Sequence, residues 1–234
     1  MQKSPPSSPL DLSVDNVVFG FDGENLNVLL IRQGSPVDGF DEAKLQMAIP
    51  GDLVGTDEDL DESAKRILAE LTSLKGIYLK QFMTFGNPSR VFGLKDQAWL
   101  RVFRANPERR VVTVGYYSLV SVEEFKPTPA SFASQAKWWP IDELPTLAFD
   151  HNIIVSTALS TLRAELSNKH IAFELLPEKF TLSQLQRLHE AVLERPLDKR
   201  NFRKNMKRMD SLIPLGEKQG GVLHKPAQLY TYKK

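Results

Sequence analysis

Acidic side chains are concentrated between Asp57 and Glu70, and Arg66 adds a cation within the same stretch. Carboxylate oxygens are the ligands that hard divalent cations prefer, so a metal site is the first chemistry to consider. The acids at 57–62 precede a helical pattern, and a helix N-terminus favours negative charge. The residue types therefore favour a solvated helix start over a complete metal site.

Positive charge is concentrated at the other end of the chain. Residues 175–234 contain thirteen Lys and Arg against six Asp and Glu, a net charge of +7. Residues 1–174 contain seventeen against twenty-three, a net charge of −6, so the whole-chain value of +1 is a cancellation. A basic helix face can lie against the phosphates of nucleic acid, and a solvated helix face is the alternative.

The composition is typical of a soluble protein with a sizeable core. Of 234 residues, 41% are hydrophobic and 25% charged, which allows one large domain or two modest ones. The absence of Cys excludes disulfides, thiol nucleophiles and Cys-ligated metals. No apolar run approaches the roughly 20 residues that cross a bilayer. We expect a cytoplasmic protein without a membrane partner, with residues 1–12 as a flexible leader.

Periodicity predicts the elements that position the acidic region. Alternating apolar residues predict a β-hairpin over 14–33, and spacings of three and four predict helices over 60–74 and 152–166. The mixed segment 87–110 is expected to form an extended surface loop or hairpin. Runs rich in β-branched and aromatic residues predict strands at 77–85, 99–103, 111–120 and 137–141.

The basic region has a different order of elements. Thr181 and Gln184 predict a capping box for a helix that extends to residue 194, and Asp198 predicts the cap of a basic helix over 199–209. A hairpin with glycines at its tip follows. Helix, sharp turn, basic helix and hairpin is the plan of a winged helix-turn-helix, with a domain boundary near 168–175.

The stretch 50–73 resembles the Nudix box, the loop–helix signature of hydrolases acting on nucleoside diphosphate derivatives. That family has Gly, five residues, Glu, seven residues, then Arg-Glu-apolar-any-Glu-Glu-any-Gly, and its carboxylates hold divalent cations against a pyrophosphate. The matching residues are Gly51, Arg66, Leu68 and Glu70, with Asp57 in place of the first Glu. Ile67 and Leu71 replace glutamates, and Ser73 replaces the glycine. These replacements imply lost hydrolysis, with no catalytic residue, no metal and no cofactor.

A degenerate Nudix domain before a winged helix resembles the Nudix-related transcriptional regulators of the NrtR and AraR types. The motifs that carry the resemblance are 64–72, 110–117, 147–151, 180–186 and 198–203. It implies an α+β fold: a Nudix-like mixed-sheet α/β/α sandwich over 13–172, then a C-terminal winged helix-turn-helix domain over 173–234.

The implied function is a homodimeric regulator that binds a palindromic double-stranded DNA operator and senses a small ligand, a sugar such as a pentose or an ADP-ribose-like nucleotide. The apolar residues at 67 and 71 favour the sugar-responsive branch. Two alternatives are a Nudix hydrolase that cleaves ADP-ribose-type compounds and a protein-interaction adaptor.

Two sets of candidate residues follow from this reading. The DNA-binding candidates are Thr181, Gln184, Lys199, Arg200, Asn201, Arg203, Lys204, Lys207, Lys218 and Lys225. The effector-binding candidates are Arg66, Glu70, Arg90, Phe149, Asp150 and His151. Helix capping is the alternative role for Asp150 and His151, and an ion pair with Arg66 is the alternative for Glu70.

Overall fold

The fold was analysed in a computed structural model, which describes residues 9–33, 46–123, 125, 127–129, 131, 133–166, 171–221 and 226–233. In chain order, the strands of the first domain are β1 (Leu10–Phe21), β2 (Leu26–Gln33), β3 (Met47–Ala48), β4 (Gly51–Leu53), β5 (Tyr78–Phe85), β6 (Arg110–Ser121) and β7 (Ala133–Pro140). Its helices are α1 (Leu60–Thr72), α2 (Leu94–Phe103) and α3 (His151–Glu165). Within these ranges, no helix is long and apolar enough to cross a membrane.

A mixed seven-stranded sheet is the centre of this domain. Its main order is β3-β2-β1-β6-β5, β4 pairs with β1, and β7 pairs with β2. β1 and β6 run parallel over their whole length, and the other pairs are antiparallel. The predicted hairpin is confirmed, since the turn 22–25 joins β1 to β2. The predicted mixed-sheet fold is thereby confirmed as well.

Helices cover both faces of β1. Val14 packs with Ala64 and Ile67 of α1, whereas Val17 and its alternating neighbours pack in the cluster that contains Ile154 of α3. Because successive side chains of a strand point to opposite faces, even positions of β1 face α1 and odd positions face α3. This alternation decides which candidate residues can meet.

The second domain is the predicted winged helix. It contains β8 (Phe180–Thr181), α4 (Leu182–Leu193), α5 (Lys199–Met206), β9 (Leu212–Lys218) and β10 (Gln228–Tyr232), with strand order β8-β10-β9. Thr181 and Gln184 form the predicted capping box, and Asp198 accepts the Asn201 N–H at 2.7 Å. α5 ends at Met206, three residues earlier than predicted.

Two predictions in the first domain were wrong. The segment 87–110 contains α2 rather than an extended loop or hairpin, and α2 includes the predicted strand 99–103. A short apolar run does not distinguish helix from strand, and tertiary contacts decide here. Leu100 is buried in a cluster with Val91 and Val111. The Gln97 amide donates to the Val91 carbonyl before the helix and to the Pro107 carbonyl after it. β1 also begins at Leu10, inside the predicted leader.

Candidate effector site and candidate DNA interface

Arg90 lies at the centre of a buried ion network. Its Nη2 atom is 2.7 Å from Asp150 Oδ1 and 3.1 Å from Asp15 Oδ2, and its Nε donates to Asp150 Oδ2 at 3.0 Å. The Arg90 side chain is 3% exposed and that of Asp15 is 7% exposed. Burial by itself would lower the pKa of Arg90, but the two carboxylates raise it and keep the guanidinium charged.

His151 extends this network to the start of α3. Its Nδ1 accepts the Ile49 N–H at 3.2 Å, and its Nε2 is 3.7 Å from Asp15 Oδ1. Burial lowers the pKa of His151, because a charged imidazole would lose its hydration there. The Phe149 ring centroid is 5.2 Å from that of His151. A neutral imidazole therefore joins β1, the 46–51 segment and α3.

The structure brings four of the predicted effector residues into one region: Arg90, Phe149, Asp150 and His151. The capping alternative for Asp150 was wrong, because it occupies the N-cap position without a side-chain capping bond and binds Arg90 instead. Sequence reasoning missed Asp15. Its signal was an acid on the same face of β1 as the apolar Val17 and Phe19, and a buried carboxylate requires a partner.

Arg66 and Glu70 lie in a second cluster, which α1 forms with the loop before it. Arg66 Nη1 donates to Glu70 Oε2 at 3.0 Å and its Nη2 donates to the Leu53 carbonyl at 3.1 Å. Glu58 pairs with Arg66 Nε and accepts from the Ser63 hydroxyl at 2.5 Å. These bonds lower the pKa of Glu58 to about 2. The predicted solvation of residues 57–62 was therefore wrong for Glu58.

Glu58 also corrects the alignment with the Nudix box. Seven residues separate Glu58 from Arg66, which is the spacing of the family's first Glu and Arg, and the two side chains form an ion pair. Asp57 therefore does not stand in for that Glu. At this end of the motif, only the spacing between the glycine and the Glu differs, because six residues separate Gly51 from Glu58 instead of five.

The residues of α1 do not fit a metal site. Ile67 and Leu71, at two family glutamate positions, are 0% and 1% exposed and belong to the core between α1 and the sheet. Glu58 and Glu70 both bind Arg66, which neutralises them. In the described ranges, no group of three His, Cys, Asp or Glu side chains could hold a metal ion.

The two clusters lie on opposite faces of the sheet. Asp15 is an odd position of β1 and binds Arg90 and His151, whereas Arg66 is on α1, which packs on the even positions. The six predicted effector residues therefore do not converge on one cleft. Arg66, which is paired with Glu70, binds the loop before α1. The other four residues surround the start of α3.

The candidate DNA interface is the outer face of α5. Phe202 and Met206 are buried, and this anchors the opposite face of the helix in the core. The side chains on the outer face and in the turn directly after the helix are exposed: Lys199, Arg200, Asn201 and Lys204 on α5, then Lys207 and Arg208. Among the residues that the structure describes, none of the five cations has an ion-pair partner. Positive charge on this face is therefore available to phosphates.

The other DNA-binding candidates are less available. Arg203 is half-buried and donates to the Ser183 hydroxyl at 3.1 Å, which ties α5 to α4. Thr181 is 3% exposed, and Gln184 closes the capping box with it. The structure thus gives both capping residues a role in the helix itself. Lys218 is exposed at the end of β9, and Lys225 lies outside the described residues.

Two family models match the chain. A NUDIX domain model matches residues 9–158, and a model of the NrtR DNA-binding winged helix domain matches residues 172–232. The ADPR responsive transcriptional repressor NtrR of Acinetobacter baylyi is 29% identical over 236 residues, which cover 99% of this chain and 85% of that protein.

Two solved structures are similar over almost the whole chain. NrtR of Shewanella oneidensis in complex with a 27mer DNA is 30% identical, with a TM-score of 0.71, over 95% of this chain and 93% of that one. A second crystal structure of that protein is 31% identical, with a TM-score of 0.70, over 95% of this chain and 94% of that one.

Proposed function

The chain belongs to the NrtR family, with a Nudix domain followed by a winged helix DNA-binding domain, and we propose that it is an ADP-ribose-responsive transcriptional repressor. In this proposal α5 binds operator DNA, and the first domain binds the effector. The observation that carries it is the exposed basic face of α5 in a domain of the NrtR DNA-binding type.

The proposed DNA contacts follow from exposure and chemistry. Lys199, Arg200, Lys204 and Lys207 neutralise phosphates, since they project from α5 and its C-cap without partners in the described part of the chain. Asn201 is exposed between them and carries the amide that can pair bidentately with adenine in the major groove. Lys218, at the end of β9, contacts the DNA backbone. We further propose that the protein acts in the cytoplasm as a homodimer on a palindromic operator.

A gel-shift titration with the DNA upstream of its own gene tests this part. We expect sequence-specific binding about 10³-fold or more tighter than binding to unrelated DNA of equal length. Equal affinity for the two DNAs would favour a non-specific or adaptor role. Light scattering should give the mass of two chains for the free protein.

We propose that the effector is ADP-ribose-like rather than a free pentose. The Acinetobacter repressor at 29% identity is ADPR responsive, which supports this choice over the sugar-responsive branch. Arg90 is buried and already bound to two carboxylates, so the ligand reaches this region through exposed neighbours. A cavity of about 820 Å³ is lined by Phe92, Arg109 and Arg110, next to the cluster that holds Phe149. Arg110 and an exposed ring suit a phosphorylated nucleotide, and Arg109, which pairs with Asp11 at 3.2 Å but is 42% exposed, adds a second cation.

We also propose that the first domain does not hydrolyse this ligand. The buried Ile67 and Leu71, together with the Arg66-bound carboxylates, leave α1 without the oxygen ligands that pyrophosphate cleavage with Mg²⁺ requires. A thermal-shift series with ADP-ribose, arabinose and ribose 5-phosphate tests the effector. ADP-ribose should give the largest shift, and an AMP-release assay with Mg²⁺ should show no turnover. A larger shift with arabinose, or release of AMP, would contradict the respective statement.

A further inference from the structure

Helix α3 lies between the two functional regions of the molecule. It spans fifteen residues, His151–Glu165, and a helix of that length extends for about 22 Å. Its first residues belong to the Arg90 network, and its last turn contacts the winged helix. One rigid element therefore touches both the proposed sensor and the proposed DNA-binding unit.

The N-terminal end of α3 is bound to the sensor region. Asp150 precedes the helix and binds Arg90, while His151 accepts the Ile49 N–H at 3.2 Å. The Phe149 N–H donates to Asp96 Oδ1 of α2 at 2.9 Å. Any ligand that changes the position of Arg90 or Phe149 must therefore shift this end of α3 or break these bonds.

The C-terminal end of α3 is joined to α4 by Arg163. Arg163 Nε donates to the Val192 carbonyl at 2.8 Å, and its guanidinium forms an ion pair with Glu194. The Val192 carbonyl needs an external donor, because the residue four positions later is Pro196, which has no N–H. The positive charge of Arg163 also interacts favourably with the partial negative charge at the C-terminal end of α4.

α4 and α5 behave as one unit. The Leu197 N–H donates to Glu190 Oε1 at 2.8 Å, and the Gln186 amide donates to the Leu197 carbonyl at 3.1 Å. Arg203 of α5 binds Ser183 of α4 at 3.1 Å. Both backbone polar groups of Leu197, in the turn between the helices, are therefore bound to α4. A shift of α4 moves the basic face of α5 with it.

Apolar packing supports the same coupling. Ile154, Ala158 and Leu162 of α3 lie in one buried cluster with Leu188 and Val192 of α4. Domains that share a continuous hydrophobic interface move together rather than independently. Arg163 adds a directional contact to this packing, which is otherwise non-directional.

We propose that α3 transmits the effector signal and that Arg163 is the positioning residue that couples it to the DNA-binding unit. Ligand binding at the Arg90 end tilts α3, and Arg163 draws the C-terminal end of α4, and hence α5, into a different position. The spacing between the two α5 helices of a dimer then changes relative to the operator half-sites. This inference rests on the proposed function.

The test compares the full-length wild type with Arg163→Gln, Arg163→Lys and the control Arg187→Gln, which removes a charge from an exposed position on α4. Fluorescence anisotropy measures the Kd for the DNA upstream of its own gene, with and without saturating ADP-ribose. Calorimetry measures the Kd for ADP-ribose itself. For the wild type and the control, ADP-ribose should change the DNA Kd by about fivefold or more.

Arg163→Gln should reduce that ratio to below about twofold, while the Kd for each ligand alone stays within about twofold of wild type. Arg163→Lys keeps a cationic donor and should restore part of the ratio. A wild-type ratio in Arg163→Gln overturns the inference, and so does loss of DNA binding without effector, since that indicates a purely structural role. If ADP-ribose does not change the DNA affinity of the wild type, the proposed regulation itself is wrong and the inference fails with it.

Discussion

The two domains use positive charge in opposite ways. In the Nudix domain, Arg66 and Arg90 are bound to carboxylates of the same chain, and Arg90 is almost completely buried. In the winged helix, α5 and the two residues after it carry five exposed cations without partners among the described residues. Paired charge fixes the positions of loops and helices, whereas unpaired charge on a surface attracts an external polyanion. The net charges of −6 and +7 therefore reflect two different tasks.

The two regions should differ most in how far the loss of one arginine lowers the free energy of unfolding. Arg90→Met leaves Asp15 and Asp150 buried without a counter-charge, and we expect it to lower the free energy of unfolding by about 3–5 kcal/mol. Arg200→Met, on the exposed face of α5, should change it by less than about 0.5 kcal/mol. Urea unfolding measures both. Equal losses in the two variants would show that the α5 charge is also structural.

A smaller effect separates a capping role from DNA contact. Thr181→Ala removes the side-chain oxygen that accepts the Gln184 N–H, and we expect a loss of about 1 kcal/mol in the free energy of unfolding. The salt dependence of DNA binding should not change, because Thr181 is buried. A shallower salt dependence in this variant would instead place Thr181 at the phosphate backbone.

The smallest effect concerns pH. Burial lowers the folded-state pKa of His151 below its ordinary value of 6.5, so the unfolded chain takes up a proton more readily. This contribution to stability is fully present above that value and is lost as the pH falls towards the folded-state pKa. The free energy of unfolding should therefore decrease from about pH 7 to pH 5, and less steeply in His151→Gln. Equal slopes in the wild type and in His151→Gln would contradict the buried, neutral imidazole. Burial lowers the pKa of His189 as well, so His189 contributes equally to the slopes of both proteins.

Local features could be predicted from the sequence, and long-range contacts could not. The Thr181–Gln184 box and the Asp198 cap depend on residues three positions apart, and the structure contains both. By contrast, Arg90 meets Asp150 and Asp15 across separations of 60 and 75 residues. Alternation along β1 indicates the face on which Asp15 lies, but the approach of Arg90 to that face depends on tertiary packing, which has no periodic signature.

The error at α2 and the missed ion pair at Glu58 have related causes. The run 99–103 has strand-like composition, but the burial of Leu100 and the bonds of Gln97 stabilise a helix. Glu58 was grouped with its acidic neighbours by composition, although its spacing from Arg66 distinguished it. Composition groups these acids together, whereas the seven-residue spacing to Arg66 distinguishes Glu58 from Asp57.

The salt dependence of operator binding tests the central claim most directly. Arg200→Gln/Lys204→Gln removes two cations from one face of α5, and Lys65→Gln/Lys75→Gln removes two exposed cations from the Nudix domain as a control. Because each phosphate contact contributes about 0.9 to the slope of log K against log salt, the α5 variant should have a slope shallower by about 2. The control should keep the wild-type slope. An unchanged slope in the α5 variant, or an equal change in both, would contradict α5 as the DNA-binding element.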